Sequence, residues 1–433
     1  MRAVRCRPVN ERQDMTGLGL DHRLLALPNG LRLITISRPG TPTVAVRAYV
    51  RAGSRYDVAE GARPFLGLAH CTEHLLFQGT AVRRQRELFS AVERLGGVLE
   101  AGTSKEYTAL HALTPRQGLA TALDVLAEVL TKPALREEDF WKEKLVLLEE
   151  IHRAQDRHSV IFEIFAQTLW QEHPLRHPVH GTLQGLHDLD YHSLLSFHRQ
   201  RYVTGNMLLV VAGDIHHEET SRLVADRFGG LCRGPEQLPS PAHEPPLNGP
   251  RAVHLDKDLN QYHLVLGVPT VSMKHGDRSG LKVIERVLGM GGSARLYQRL
   301  REQTQLVYSV NTVTAQYEDA GFFAVHVACD PTHVHQVQQI ILREWDDLRD
   351  DGVSEDELSA AKTNYAGNLA RRFETNLAIA GIFGVEGLLH RIEPFQSAVD
   401  RINAVQRDDV VRVARRYLNS ECTVRVSVGR SPV

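Results

Sequence analysis

"GLAHCTEHLLFQGT" (67–80) and "GLKVIERVLGMGGS" (280–293) are the two stretches whose comparison decides the architecture, because Gly67 pairs with Gly280, Leu68 with Leu281, and the elements around them recur in the same order. Before the first stretch, "LLALPNGLRLITI" places Asn29-Gly30 between apolar runs, a hairpin signal. "TVAVRAYVRAGS" alternates Val44, Val46, Ala48 and Val50 with Arg47 and Arg51, which predicts a strand with one buried face. Helical patterns follow, and "NMLLVVAGDI" (206–215) closes the unit as a buried strand. After "RGPEQLPSPAHEPPLNGP" (233–250), whose prolines read as an extended linker, the order returns. "YHLVLGVP" is a strand, "SGLKVIERVLGMGGSARLYQRLRE" helical, "GFFAVHVACD" a strand, "SEDELSAAKTNYAGNLARR" a helix and "CTVRVSVG" the closing strand. An α+β protein is expected, with repeats at 23–232 and 250–433, a linker at 233–249 and a loosely ordered segment at 1–22.

Composition narrows the function classes. The 433 residues exceed what one hydrophobic core accommodates, and 42% hydrophobic with 24% charged residues is ordinary for a globular chain. Lys+Arg 51 against Asp+Glu 52 leaves a net charge of -1, which offers nucleic acid or an anionic membrane no field. The cysteines Cys6, Cys71, Cys232, Cys329 and Cys422 are odd in number and lack CxxC spacing, so neither a disulfide framework nor a Cys-based zinc knuckle is expected. No run approaches the roughly 18–20 apolar residues of a membrane span, and the N-terminal segment lacks a secretory core. A cytoplasmic protein fits these features.

The duplication also isolates the chemistry. Opposite His70, Glu73 and His74 the second half carries Val283, Arg286 and Val287, so the helix itself does not require the polar trio. Residues i and i+4 lie about 40° apart around a helix, and two imidazoles so placed can reach one ion. A glutamate beside the second histidine completes the H-x-x-E-H arrangement, in which the acid can take a proton from a water without ligating. A third ligand is available in "DFWKEKLVLLEEIHRAQ", helical by its spacing with Leu145, Leu148 and Ile151 in the apolar stripe. Glu143 and Glu150 there lie within about 20° of one face, and the matching helix of the second half carries Ala360 and Gly367. One acid can ligate while the other orients a histidine.

These residues resemble the zinc peptidases that include pitrilysin, insulysin and the mitochondrial processing peptidase, in which a ligand-bearing glutamate follows H-x-x-E-H by some 75 positions; here Glu150 follows His74 by 76 (150 − 74). The resemblance extends through "GSRYD", "HLLFQGT", "HPVHGTLQGLHDL", "FHRQRYVTGNMLLVVAGD" and "LREQTQLVYSV". It implies two α/β-roll repeats forming half of a clamshell, one Zn2+ per chain on His70, His74 and Glu150, Glu73 as general base and Glu143 supporting the ligands. Arg301 and Tyr308 match the arginine and tyrosine that grip substrate and steady the oxyanion. The family commonly has Asn-Ala in the edge strand where substrate backbone pairs; here Glu100-Ala101 stands in "GGVLEAGTSKEYTAL" and bears on substrate preference.

The implied activity is endopeptidase cleavage of peptides or unfolded precursor and leader segments. The implied partner is a second copy of the chain, or alternatively a related chain without the motif. Of the remaining polar residues, His187, His192 and His198 fit a solvated or capped helix, Cys71 fits core packing, and "GMGGS" (289–293) fits a loop, since it lacks the G-K-[ST] end of a phosphate loop.

Overall fold

The protein is described from a computed structural model that covers residues 7–8, 20–57, 66–155, 160–240, 242, 244–389, 392–393 and 395–431. In chain order the strands are β1 (Arg7–Pro8), β2 (Asp21–Ala26), β3 (Arg32–Ser37), β4 (Thr43–Val50), β5 (Val98–Thr103), β6 (Thr108–Pro115), β7 (Met207–Gly213), β8 (Arg251–Asp256), β9 (Tyr262–Thr270), β10 (Val307–Gln316), β11 (Gly321–Cys329) and β12 (Val424–Gly429). The helices of the first half are α1 (Leu68–Leu76), α2 (Gln85–Glu93), α3 (Leu119–Thr131), α4 (Glu137–Gln155), α5 (Ile161–Leu169), α6 (Leu183–Asp188), α7 (Tyr191–Arg201) and α8 (His217–Phe228). Those of the second are α9 (Arg278–Gly289), α10 (Arg295–Tyr297, continued by a π-helical turn Gln298–Gln303), α11 (Val334–Asp350), α12 (Glu355–Arg372), α13 (Asn376–Leu389), α14 (Phe395–Asn403) and α15 (Arg407–Tyr417).

The chain divides into two compact units, residues 1–153, 177–240 and 371–396, and residues 154–176, 241–370 and 397–433. The first holds a sheet of order β1-β2-β3-β7-β4-β6-β5, the second a sheet of order β10-β11-β9-β12-β8. Pairing is antiparallel except for β3–β7 and β8–β12. The run β3-β7-β4-β6-β5 therefore matches β8-β12-β9-β11-β10 strand for strand, with the one parallel pair in the same place. At the matching end of each sheet, β5 or β10 is the edge strand among the described residues. Asn29-Gly30 makes the β2–β3 turn, with Gly30 at φ +93. Asp21 and His22 already belong to β2, while residues 1–6 and 9–19 of the segment expected to be loosely ordered lie outside the described residues.

In the first unit one sheet face packs α1, α2, α3 and α8 over a core that includes Leu33, Val46, Val50, Leu110 and Leu209. The other face is covered by α13, which lies on β4 and β7. This overturns the expectation of one buried face for β4, since Ala45 and Tyr49 are as buried as Val44 and Val46. Tyr49 Oη donates to Gly381 O at 3.2 Å, and a Cβ at Gly384 would stand 1.9 Å from the Tyr49 ring. The second unit uses α5 on the equivalent face, over β9 and β12. There the roles invert: Phe165 of the helix presses on Gly267 of the strand, where a Cβ would meet the ring at 2.6 Å. Each crossing needs one glycine because an aromatic ring fills the other side.

Candidate metal centre

Helix α1 starts at Gly67, which has φ +104 and no side chain with which to cap the free amides. Asp57 does so from a distance, Oδ2 accepting from the N–H of Gly67 and Oδ1 from that of Ala69, each at 2.8 Å. The carboxyl is fully buried, and burial pushes its pKa up to about 8 against the pull of those amides and of Lys105. Leu68, Cys71, Leu75 and Leu76 enter the core. That leaves His70, Glu73 and His74 toward α4 and β5, with Cys71 in the packing role expected of it.

Helix α4 opens on Glu137, Glu138 and Asp139, charges suited to a helix N-terminus. Its buried side carries Phe140, Glu143, Leu147 and Ile151. The expected stripe is corrected at Leu145, which is 66% exposed, as are Trp141 and Val146 in lesser degree. The helix is apolar on two sides, so spacing alone does not tell which one packs. Matching its buried positions and its start to α12 also moves the pairing by one: Phe140 answers to Leu358 and Glu143 to Ala361, with Asn368 opposite Glu150. The acids are absent from the second half in either register.

Glu150 Oε2 lies 3.8 Å from His70 Nε2 and 3.8 Å from His74 Nε2, and one donor atom from each of the three residues lies within 4.8 Å of the others. Bonds of about 2.0–2.1 Å in a tetrahedral site put ligand atoms roughly 3.3 Å apart, so two imidazoles and a carboxylate here fit a single zinc after a small contraction. The His70 and His74 rings meet edge to face at 4.7 Å. Nδ1–H of His74 donates to Glu143 Oε2 at 2.9 Å, which leaves Nε2 bare toward Glu150, and Gln78 Nε2 donates to the other Glu143 oxygen at 2.6 Å.

The charges around the two histidines differ. Burial draws the His70 pKa down to about 3, with His74 and His180 adding to the effect. Burial acts in the same sense on His74, but the Glu143 hydrogen bond and the charges of Glu73, Glu150 and Glu143 outweigh it and raise the imidazole above its ordinary value. Glu73 is buried, and burial lifts its carboxyl above the usual range, against the His74 charge and the hydrogen bond that Thr103 Oγ1 donates to Oε2 at 3.0 Å. A carboxyl tuned upward beside a ligand set can both take and return a proton.

Thr103 ends β5, the open strand, so the strand's free edge begins beside Glu73. Glu100 and Ala101 lie on it, Glu100 pairing across to His111 with Oε2 at 3.3 Å from Nε2. Arg301 and Tyr308 belong to the second unit. Arg301 lies in the π-helical turn with its guanidinium over the Tyr297 ring at 5.3 Å, and Tyr308, at the start of β10, is 57% exposed. Among the described residues no second cluster of three metal-ligating side chains accompanies the first. His187 and His192 are exposed, and His198 stacks on Tyr202 at 4.7 Å. Thr103 escapes the sequence reading because a single polar residue on another element carries no spacing signal, whereas Asp57 and Gln78 stand in the quoted "GSRYD" and "HLLFQGT" without a role that spacing assigns them.

The family description "Insulinase (Peptidase family M16)" matches residues 32–183, and "Peptidase M16 inactive domain" matches residues 188–365. An uncharacterized zinc protease of Mycobacterium leprae is 32% identical over 397 residues, covering 91% of this chain and 88% of its own. The chain belongs to the insulinase family, peptidase family M16. By family it is a zinc protease, and both M16 domains of that family are matched in one α+β chain. YmxG of Bacillus subtilis, also an uncharacterized zinc protease by name, is 28% identical over 396 residues, covering 91% of this chain and 95% of its own. The fold is similar to that of a Helicobacter pylori protease at a TM-score of 0.87 and 24% identity, covering 94% of this chain and 99% of that one. No helix among the described residues is long and apolar enough to cross a membrane.

Proposed function

We propose that this M16 protease is an endopeptidase that cuts peptides, or unfolded precursor and leader segments, laid as an added strand along the free edge of β5. The observation that carries this reading is the meeting, within one unit, of the His70, His74 and Glu150 donors, the buried Glu73 and the strand end at Thr103 that holds Glu73. His70, His74 and Glu150 would hold one zinc ion per chain, which when bound would supply the polarisation that acidifies a water and makes a scissile carbonyl electrophilic. Glu73 takes the proton of the attacking water and hands it to the leaving amine, so that one water and one peptide bond become a carboxylic acid and an amine, which exchange a proton to leave as carboxylate and ammonium. Glu143 holds the His74 ring. The backbone of Glu100 and Ala101 pairs with the substrate, which fixes its register by main-chain hydrogen bonds.

Arg301 and Tyr308 donate to the developing oxyanion. In our reading they come from a second copy of the chain in a homodimer, each subunit serving the other. The test uses purified chain and a peptide library read by mass spectrometry. Chelator should abolish cleavage and added zinc restore it, while Glu73→Gln should keep about one zinc per chain and lose cleavage. Retained cleavage by Glu73→Gln overturns the mechanism. Mixing Glu73→Gln with Tyr308→Phe chains should recover up to about one-quarter of wild-type activity once subunits exchange, because half the dimers are mixed and each holds one good site. No recovery after demonstrated exchange overturns the shared arrangement.

A further inference from the structure

His180 sits on a short segment locked against the start of α1. His177 O accepts from Ser54 Oγ at 3.0 Å and from Lys105 Nζ at 2.6 Å, which ties the segment to the β5–β6 connection. At Gly181, φ +78, a Cβ would stand 2.4 Å from Leu66 O and 2.7 Å from the Gly67 Cα. At Gly185 it would stand 2.6 Å from the same Leu66 oxygen. Backbone is thus pressed on backbone, and the position of His180 follows from it.

From this segment the His180 ring meets the His70 ring edge to face, with centroids 5.1 Å apart and planes at 78°. His70 is buried at 8% exposure, whereas His180 is open to solvent. The nitrogens of His180 do not join the cluster formed by His70, His74 and Glu150. An exposed ring contributes little apolar burial to the fold. What remains is an imidazole with a free N–H, on a fixed backbone, beside a buried ligand and at the Lys105 end of the open strand.

We propose that His180 is a further substrate-contacting residue, whose ring N–H donates to a backbone carbonyl of the peptide where it passes the ligand set at the Thr103 end of β5. The proposal rests on the endopeptidase reading above. It assigns a directional contact to the end of the bound strand away from Glu100, so that the peptide is gripped on both sides of the cut.

His180→Ala and His180→Asn test it on a peptide that the wild type cleaves. His180→Ala should lower kcat/KM by roughly 3- to 10-fold, the weight of one neutral hydrogen bond, mainly through KM. His180→Asn, which keeps an N–H donor, should recover part of the loss. Zinc content, and the visible absorption of the cobalt-substituted protein, should stay as in the wild type for both. Activity of His180→Ala within about twofold of wild type overturns the proposal. So does a changed cobalt spectrum or lost zinc, which would make His180 a ligand or a prop for His70. Should the alanine variant misfold by circular dichroism, the asparagine variant carries the same comparison against His180→Leu, which lacks the donor. A wild type that cleaves no peptide at all refutes the endopeptidase reading itself, an outcome distinct from a variant equal to an active parent.

Discussion

The two repeats use one scaffold for opposite ends. In α1 the positions of His70 and His74 hold imidazoles, and His70 Nδ1 is buried without a hydrogen-bond partner. In α9 the same positions hold Val283 and Val287, both in the core of the second unit. Where α1 has Glu73, α9 has Arg286, paired with Glu285 and lying over the Tyr365 ring at 4.7 Å. Where α4 buries Glu143, α12 buries Ala361. A buried polar atom left unpaired costs about 1–3 kcal/mol, so at the His70 position α1 gives up stability that α9, with Val283, retains. The fold needs the helices; only the chemistry needs the polar side chains.

The largest effect comes from rewriting the first repeat in the terms of the second. His70→Val with His74→Val should abolish zinc binding and cleavage while leaving the fold intact, with a melting temperature equal to or above that of metal-free wild type. Zinc analysis and calorimetry of the metal-free proteins check this. An unfolded double variant would mean that α9 is a poor guide to what α1 tolerates.

Next in size is Glu143→Ala, the residue of α12 at that place. Removing the acceptor of His74 Nδ1–H should weaken zinc by about 10- to 100-fold without loss of fold. Competition with a chromophoric chelator measures it. If zinc survives Glu150→Gln and disappears in Glu143→Gln, ligand and supporter are exchanged.

A smaller effect follows from protons. His74 must be bare at Nε2 to bind, and its neighbours raise its pKa above the ordinary 6.5, whereas His70 is held down to about 3. Protons therefore compete with zinc at His74 first: affinity is full above the raised pKa and falls as pH drops through it, by up to about tenfold per unit for one proton. In Glu143→Ala, which removes groups that raise His74, the fall should begin at lower pH. A midpoint unchanged between the two proteins would show that Glu143 does not set the His74 proton.

Much of this was legible in the sequence because it is periodic or duplicated. The histidine pair repeats at one helical turn, Glu143 and Glu150 at two, and the strand order twice along the chain. What escaped is set by distant packing. The exchange of α5 and α13 between units hides in a chain read in order, and so the second buried face of β4 was missed. Leu145 and Leu147 are equally apolar, and only the neighbouring core decides which is covered. Thr103, Asp57 and His180 act from loops and strand ends, where no spacing marks them.

The smallest effect compares the two open strands. β10 presents the phenol of Tyr308, β5 the carboxylate of Glu100. Glu100 is in contact with His111, whose pKa burial lowers, with Arg47 adding and Glu100 opposing, so less imidazolium charge is there to offset the carboxylate. A peptide strand on β5 should then be cut faster with Lys or Arg facing Glu100 than with Asp or Glu. Because the carboxylate is mostly exposed, the preference should be only about two- to fivefold and should fade in high salt. Glu100→Gln should remove it and Glu100→Lys reverse it, with zinc content unchanged, in cleavage of paired peptides differing at one position. Equal preference in wild type and Glu100→Lys would mean that no substrate side chain passes Glu100, and the edge of β5 would lose its part in selecting what is cut.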